Sequence, residues 1–187
     1  MRVKDSLDFD WRFCKGECEG AEHPSYDDNV WQVVDIPHDY TIEGPFNESY
    51  FYGTAYLLKE KGFYRKSFFV PMNAQNERIY LEFEGVFRQS SIWVNGKYIC
   101  SHREGYTGFY CDITDAVSFG EENLVAVKID NADNLAKEEW AGEGWWYEGN
   151  GIYRHVWLHI VPAFRIENDG VFVTTPQVSE QFAQVFV

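Results

Sequence analysis

The stretch Ser91-Ile92-Trp93-Val94-Asn95-Gly96-Lys97-Tyr98-Ile99-Cys100 decides the fold class. Two short apolar runs flank the dipeptide Asn95-Gly96, and both of its residues tolerate the positive φ angles of a type I′ turn. The pattern therefore predicts a β-hairpin, the simplest unit of an antiparallel sheet.

Alternating apolar residues predict further strands on both sides of this hairpin. The predicted strands cover residues 63–70, 78–84, 123–129, 151–161, 171–175 and 182–187. Two short segments, 26–30 and 115–118, resemble helical turns, whereas residues 9–51 and 132–150 are rich in turn formers. We expect residues 36–40 to form a loop that lies across the sheets. Many short strands without a long amphipathic helix predict an all-β jelly-roll sandwich.

The composition excludes several classes of partner. Aromatic residues make up 18% of the chain, which favours half-buried β surfaces. The formal net charge of −14 disfavours binding to nucleic acid or to an anionic membrane surface, so a substrate should be neutral or cationic. The first residues lead into no apolar stretch, so a signal peptide is absent or removed. The compartment, cytoplasmic or periplasmic/secreted, and a homo-oligomeric state stay open.

The four cysteines predict no metal site and no cofactor. Cys14 and Cys18 have a spacing that suits a disulfide or half of a metal site, but a zinc site needs four ligands. Cys100 and Cys111 lie at the ends of two strand-like segments. A disulfide between them is one alternative, and two buried thiols are the expectation.

The order of motifs along the chain resembles the N-terminal, galactose-binding-like domain of glycoside hydrolase family 2, which includes β-galactosidases, β-glucuronidases and β-mannosidases. The motifs are Trp11-Arg12-Phe13, Ile36-Pro37-His38-Asp39-Tyr40, Gly62-Phe63-Tyr64-Arg65-Lys66, Phe83-Glu84-Gly85-Val86, Ile92-Trp93-Val94-Asn95-Gly96, Gly105-Tyr106-Thr107-Gly108-Phe109, Asn123-Leu124-Val125-Ala126-Val127 and Gly151-Ile152-Tyr153-Arg154-His155-Val156-Trp157-Leu158. Each motif is weak alone, but their shared order from about residue 6 to residue 162 is specific.

The resemblance implies a division of the chain and a role for it. Residues 1–165 would form the jelly-roll domain, and residues 166–187 would be the first strands of a truncated immunoglobulin-like domain. The two catalytic glutamates of a retaining, β-galactosidase-like enzyme would lie in a (β/α)8 barrel that is missing from this sequence. The chain is then expected to be non-catalytic, with the barrel and the immunoglobulin-like domain as its partners and carbohydrate as the ligand of the intact enzyme.

The candidate sugar contacts lie in two loops. Glu143 is the nearest match to an acidic residue that reaches the active-site pocket in members of this family, and Trp145 and Trp146 offer aromatic faces to a sugar ring. Burial of these rings against the missing barrel is the alternative. Asn47 and Glu48 are a second candidate pair of the same kind.

Other constellations are expected to be structural. Glu138-Glu139 has the composition of a solvated loop, and Asp39 should bind backbone amides in a turn rather than form a catalytic dyad with His38. Two other pairs of side chains fit no site: His155 and His159 lack a third metal ligand, and Arg65 and Arg154 are expected to form ion pairs at a surface or interface.

Three roles remain open on the sequence alone. The chain is a supporting domain of a β-glycosidase, a self-standing carbohydrate-binding module that uses loop 140–147, or a scaffold without sugar contact. The alternating strand at residues 182–187, which has no partner at the chain end, favours the first role.

Overall fold

The computed structural model describes residues 2–50, 55–131, 147 and 149–187. Their strands in chain order are β1 (Val3–Ser6), β2 (Trp11–Lys15), β3 (Gln32–Val34), β4 (Gly62–Val70), β5 (Glu77–Phe83), β6 (Ser90–Val94), β7 (Lys97–His102), β8 (Phe109–Asp112), β9 (Glu121–Ile129), β10 (Val156–Pro162), β11 (Thr174–Val178) and β12 (Ala183–Phe186). Short 3-10 helices cover Met72–Ala74 and Thr114–Ala116. No helix among these residues is long and apolar enough to cross a membrane.

The strands form two large antiparallel sheets and a separate hairpin. The four-stranded sheet has the order β1-β10-β5-β8, and the six-stranded sheet has the order β3-β2-β4-β9-β6-β7. Strands β11 and β12 pair only with each other. The all-β sandwich predicted from the alternating pattern is therefore confirmed.

The predicted β6-β7 hairpin is present with its expected turn. Val94 pairs with Lys97, and Asn95 and Gly96 have φ angles of 50° and 80°. Both values fall in the left-handed region that a type I′ turn requires.

Several local predictions differ from the structure. Strands β1, β2 and β3 were not predicted, because they are short and contain polar or charged residues, whereas β8 contains Cys111 at the end of a strand-like segment named above. Strand β10 begins at Val156 rather than at residue 151. Residues 26–28 are irregular and residues 29 and 30 form a turn instead of a helix, since the Asp27 side chain accepts a hydrogen bond from the Asn29 amide at 3.1 Å. Strand β11 runs through Pro176, which an edge strand tolerates.

The main core lies between the two large sheets. The six-stranded sheet contributes Phe13, Tyr64 and Val127, and the four-stranded sheet contributes Leu81 and Leu158. These side chains belong to one cluster of buried residues, so the sandwich is stabilised mainly by apolar area removed from water between its layers.

A smaller apolar cluster covers the outer face of the six-stranded sheet. It contains Cys18, Ala21, Trp31, Phe63 and Ala126. The segment between β2 and β3 supplies the first three of these residues, so this segment packs over β4 and β9. Strand β4 is consequently buried on both faces along its first half.

Arg65 corrects one prediction from the sequence. The sequence predicts an ion-paired residue at a surface or interface. The ion pair is present, but the side chain is only 3% exposed because the segment between β2 and β3 covers it. Its guanidinium binds the Asp28 carboxylate at 2.7 Å and the carbonyl oxygens of Ala21 and His23. The ion pair and these hydrogen bonds offset the loss of solvation of the buried cation.

Cys100 and Cys111 correct a second prediction. They form a disulfide bond rather than two buried thiols. Cys100 lies on β7 and Cys111 on β8, which are edge strands of different sheets. The disulfide therefore links the two layers of the sandwich at one side. Cys14 and Cys18 are both unbridged.

Candidate functional site

The structure describes only part of the predicted sugar-contact set. Glu143, Trp145 and Trp146 lie outside the described residues, as does the pair Glu138-Glu139. Asn47 and Glu48 are both exposed in a turn. The Asn47 side-chain oxygen accepts hydrogen bonds from the Ser49 amide at 2.9 Å and the Ser49 hydroxyl at 2.7 Å. This oxygen stabilises its own turn, whereas Glu48 is the more available of the two side chains.

Asp39 binds Tyr147 and Asn150, which follow the predicted tryptophans in the sequence. Its Oδ2 atom accepts a hydrogen bond from the Tyr147 hydroxyl at 2.7 Å, and its Oδ1 atom accepts bonds from the Asn150 amide at 3.1 Å and the Thr41 amide at 3.0 Å. Burial and the hydrogen bond to Asp39 raise the pKa of Tyr147. The turn role predicted for Asp39 is confirmed, and its carboxylate also reaches across 111 residues of sequence to residue 150.

The Asn150 side chain contacts both Glu60 and Asn131. Its side-chain nitrogen donates to the Glu60 carbonyl at 3.1 Å. Glu60 lies just before β4 begins at Gly62. Its side-chain oxygen accepts hydrogen bonds from the Asn131 side chain and from the Gly151 amide at 2.9 Å. Asn131 and Asn150 are buried and flank the segment 132–149, so one hydrogen-bonded group holds both ends of that segment.

Asn131 extends this group to the chain between β5 and β6. Its side chain donates to the Phe87 carbonyl at 2.9 Å and accepts from the Arg88 amide at 2.8 Å. Two backbone hydrogen bonds between Phe87 and Gly151, at 2.9 and 3.0 Å, lie beside it. We call Asp39, Asn131 and Asn150 with these partners the loop anchor.

The rings of His38, Tyr40 and Tyr64 pack together. His38 and Tyr40 flank Asp39 in the sequence, and Tyr40 contacts Glu60 in the fold. The His38 Nδ1 atom lies 2.7 Å from the Tyr64 hydroxyl, and the Tyr40 hydroxyl donates to the Glu60 carbonyl at 2.8 Å. Burial raises the pKa of both Tyr40 and Tyr64, so these hydroxyls stay neutral. The second ring nitrogen of His38 lies 3.0 Å from Glu43. Within the described ranges, both ring nitrogens of His38 thus have partners other than Asp39.

Gly151 shows how closely this region is packed. It has a φ angle of 98°, and a Cβ atom at this position would lie 2.4 Å from the His38 carbonyl oxygen and 2.7 Å from the Tyr64 hydroxyl. A larger residue would be excluded by both backbone conformation and space. The Gly-Ile-Tyr-Arg motif that begins here thus has a structural basis.

The remaining candidates are structural partners. His155 binds Asp8 at 2.8 Å, whereas His159 binds Glu82 at 2.7 Å, so the two histidines serve different carboxylates. Arg154 lies 3.6 Å from Glu84 at the surface. Across the described ranges, no group of three or more His, Cys, Asp or Glu residues could hold a metal ion.

The sequence pattern did not identify Asn131 and Asn150 as members of the site. Asparagine is common in turns, and only its burial distinguishes these two residues from turn formers. The feature of the sequence that could have pointed to Asn150 is the dipeptide Asn150-Gly151, which follows a stretch rich in aromatic residues.

Comparison with known proteins identifies the fold. The family model for glycosyl hydrolases family 2, sugar binding domain, matches residues 5–162. The chain belongs to this family. Two parts of its loop anchor, Asp39 and Gly151, belong to motifs that carry the resemblance, whereas Asn131 and Asn150 lie outside those motifs.

Relatives and solved structures in glycoside hydrolase family 2 support this assignment. The chain is 35% identical over 184 residues to the β-galactosidase BoGH2A of Bacteroides ovatus, covering 97% of this chain and 21% of that protein. A family 2 glycosyl hydrolase from Bacteroides cellulosilyticus matches with 36% identity and a TM-score of 0.79, covering 97% of this chain and 24% of that one. A β-glucuronidase from Bacteroides uniformis matches with 31% identity and a TM-score of 0.81, covering 99% and 21%. The chain thus spans about a fifth of the length of the relative from Bacteroides ovatus.

Proposed function

We propose that this chain is the non-catalytic N-terminal domain of a retaining exo-β-glycosidase of the β-galactosidase or β-glucuronidase type. Residues 1–165 form the sugar-binding-like domain, and residues 166–187 begin an immunoglobulin-like domain. Its partners are that domain and a catalytic barrel, and the intact enzyme hydrolyses O-glycosidic bonds in carbohydrate. The family match over residues 5–162, together with relatives named as β-galactosidases and β-glucuronidases, supports this proposal.

The loop anchor is the observation that carries the domain's role. It fixes Tyr147 and Asn150, which follow Glu143, Trp145 and Trp146 in the sequence, and it binds the carbonyl of Glu60, which follows Asn47 and Glu48. We propose that these two segments form part of the wall of the sugar pocket. Aromatic faces would pack on the apolar face of a sugar ring, and polar side chains would bind its hydroxyl groups.

The chemistry of the described carboxylates fits a supporting role. A retaining glycosidase needs two carboxyl groups about 5–5.5 Å apart, one as acid/base and one as nucleophile. Asp39 accepts three hydrogen bonds, from Thr41, Tyr147 and Asn150, which occupy both of its oxygens. It suits the positioning of a loop better than proton transfer.

An activity and binding experiment on the chain itself tests the first part of the proposal. We expect no hydrolysis of nitrophenyl β-galactoside or β-glucuronide by the purified chain. Calorimetric titration with galactose, glucuronate or mannose should show no binding tighter than millimolar. Turnover that survives rigorous purification would contradict the non-catalytic role, and tight binding would favour a self-standing carbohydrate-binding module.

A variant of Asp39 tests the second part in the intact enzyme that we propose. Asp39→Ala removes the acceptor for Tyr147 and Asn150, and we expect kcat/KM to fall at least about tenfold, the change of about 1.4 kcal/mol typical of a displaced positioning group. The matched control is Asp35→Ala, because exposed Asp35 also accepts a backbone hydrogen bond, from Asp10 at 2.9 Å. Equal activity of both variants would show that the anchored loops do not form the pocket.

A further inference from the structure

The unbridged pair Cys14 and Cys18 lies where the chain reverses direction after β2. Gly16 has a φ angle of 101°, which turns the backbone immediately after Lys15, the last residue of the strand. The Gly16 amide donates to the Lys61 carbonyl at 2.8 Å, which fixes this turn against the beginning of β4. The turn brings Cys18 back over the outer face of the same sheet that contains Cys14.

Both side chains belong to the small apolar cluster on that face. Cys18 is buried beside Trp31 and Phe63, and half-buried Cys14 packs against the same cluster. The Cys14 Sγ atom donates to the Lys15 carbonyl oxygen at 3.7 Å. After burial, the Cys14 side chain is the next contribution to the raised pKa of Cys18, which places the two sulfur atoms near each other within this cluster. Two neighbouring sulfurs on a fixed turn are what closure of a short disulfide loop requires.

We propose that Cys14 and Cys18 form a second, intramolecular disulfide of this domain when the chain meets a small-molecule disulfide such as oxidised glutathione. The Cys14 thiolate attacks one sulfur of glutathione disulfide, which releases one glutathione and leaves a mixed disulfide on Cys14. The Cys18 thiol then loses its proton to solvent and its thiolate attacks the Cys14 sulfur, which breaks the mixed disulfide. The second glutathione leaves as a thiolate and takes up a proton from solvent. Two cysteine thiols are oxidised to one disulfide, and one glutathione disulfide is reduced to two thiols.

The two cysteines have different parts in this reaction. Burial and the neighbouring Cys14 raise the pKa of Cys18 to about 12, so Cys18 is a poor initial nucleophile. Cys14 is more exposed and accessible to the oxidant. The bond between Cys100 and Cys111 shows that the folded chain accommodates an oxidised pair, and it gives an internal reference for the extent of oxidation.

Peptide mapping of the full 187-residue chain tests the proposal. The folded, reduced protein is incubated with glutathione disulfide, denatured in acid, alkylated and digested with trypsin. Because Lys15 lies between the two cysteines, cleavage after it places Cys14 and Cys18 in different peptides. We expect these peptides to be recovered joined by a disulfide, with both thiols lost to alkylation, while the Cys100–Cys111 link forms in the same sample.

Two variants distinguish this bond from disulfide exchange. In the double variant Cys100→Ser with Cys111→Ser, the Cys14–Cys18 link should form to the same extent. In Cys14→Ser, Cys18 should become available for alkylation and the Cys100–Cys111 link should be unchanged. The proposal is overturned if Cys14 and Cys18 are both alkylated after the Cys100–Cys111 bond has formed. Recovery of Cys14 as a stable glutathione adduct, or of either residue linked to Cys100 or Cys111, would also overturn it.

Discussion

The sandwich and the β11-β12 hairpin are built from the same alternating pattern, but they differ in where their apolar side chains lie. In β5 of the sandwich, Leu81 and Phe83 are fully buried between two sheets. In the hairpin, Phe182 and Phe186 are 58% and 53% exposed. Alternation therefore determines which residues share a face of a sheet, whereas burial requires a second layer on that face. In the described chain, the hairpin pairs only within itself.

A matched pair of phenylalanine substitutions tests this difference most directly, and it should give the largest effect. Phe83→Ala removes a fully buried ring that stacks on Phe109, and we expect it to lower the free energy of unfolding by about 3–5 kcal/mol. Phe186→Ala should change it by less than about 0.5 kcal/mol, because that ring is half exposed. Urea unfolding of both variants measures the two changes. Similar losses would show that the hairpin shares the core of the sandwich.

The disulfide between the sheets provides the second test. It closes an 11-residue separation and links β7 to β8. Replacing both Cys100 and Cys111 with serine should lower the free energy of unfolding by about 2–3 kcal/mol, mainly by releasing the unfolded chain. The same substitutions should not alter hydrogen exchange of the hairpin amides, because β11 and β12 are not linked by this bond. Unchanged stability would show that packing alone holds this edge of the sandwich.

The outer face of the four-stranded sheet gives a smaller, pH-dependent test. Burial raises the pKa of Glu82, but hydrogen bonds from Lys4, Tyr110 and His159 lower it more, so the net shift is downward. The resulting stabilisation is complete above the unfolded carboxyl pKa of about 4.3 and is lost as pH falls through the lower folded value. Glu82→Gln should therefore destabilise the sandwich by about 1–2 kcal/mol at pH 7 and by less at pH 3.

Urea unfolding at both pH values measures this effect, with Glu122→Gln as the control because Glu122 is an exposed residue of β9. The control should match the parent chain at each pH. If Glu82→Gln showed the same loss at pH 7 and pH 3, the destabilisation would arise from packing rather than from the charge of Glu82.

Local chemistry explains which parts of this structure could be predicted. The Asn95-Gly96 turn depends only on two adjacent residues, so its hairpin was correctly predicted. Strand β2 was not predicted, although Trp11 and Phe13 are buried, because the strand is short and contains charged residues. Arg65 follows the alternation expected of an outward-facing residue, but a segment distant in sequence covers that face.

The candidate site was predictable only in part for the same reason. The sequence indicated that Asp39 organises a turn, which depends on its neighbour Thr41. Its contacts with Tyr147 and Asn150 join segments more than 100 residues apart, and no periodicity records such contacts. The buried pair Asn131 and Asn150 could be recognised only after the fold had placed their side chains in contact with each other and Asn150 against the Glu60 carbonyl.

Removal of the β11-β12 hairpin should change the free energy of unfolding least, and it tests whether the hairpin stabilises the sandwich. A chain that ends at Arg165 retains both large sheets and the contact of Arg165 with the Tyr80 hydroxyl. Because the apolar side chains of β11 and β12 are largely exposed, their removal deletes little buried area. We therefore expect the free energy of unfolding to stay within about 0.5 kcal/mol of that of the full chain. The slope of this free energy against urea concentration should also be nearly unchanged, because it scales with the surface that unfolding exposes. A loss above about 1 kcal/mol would mean that residues 166–187 stabilise the sandwich and that the proposed domain boundary at residue 165 is wrong.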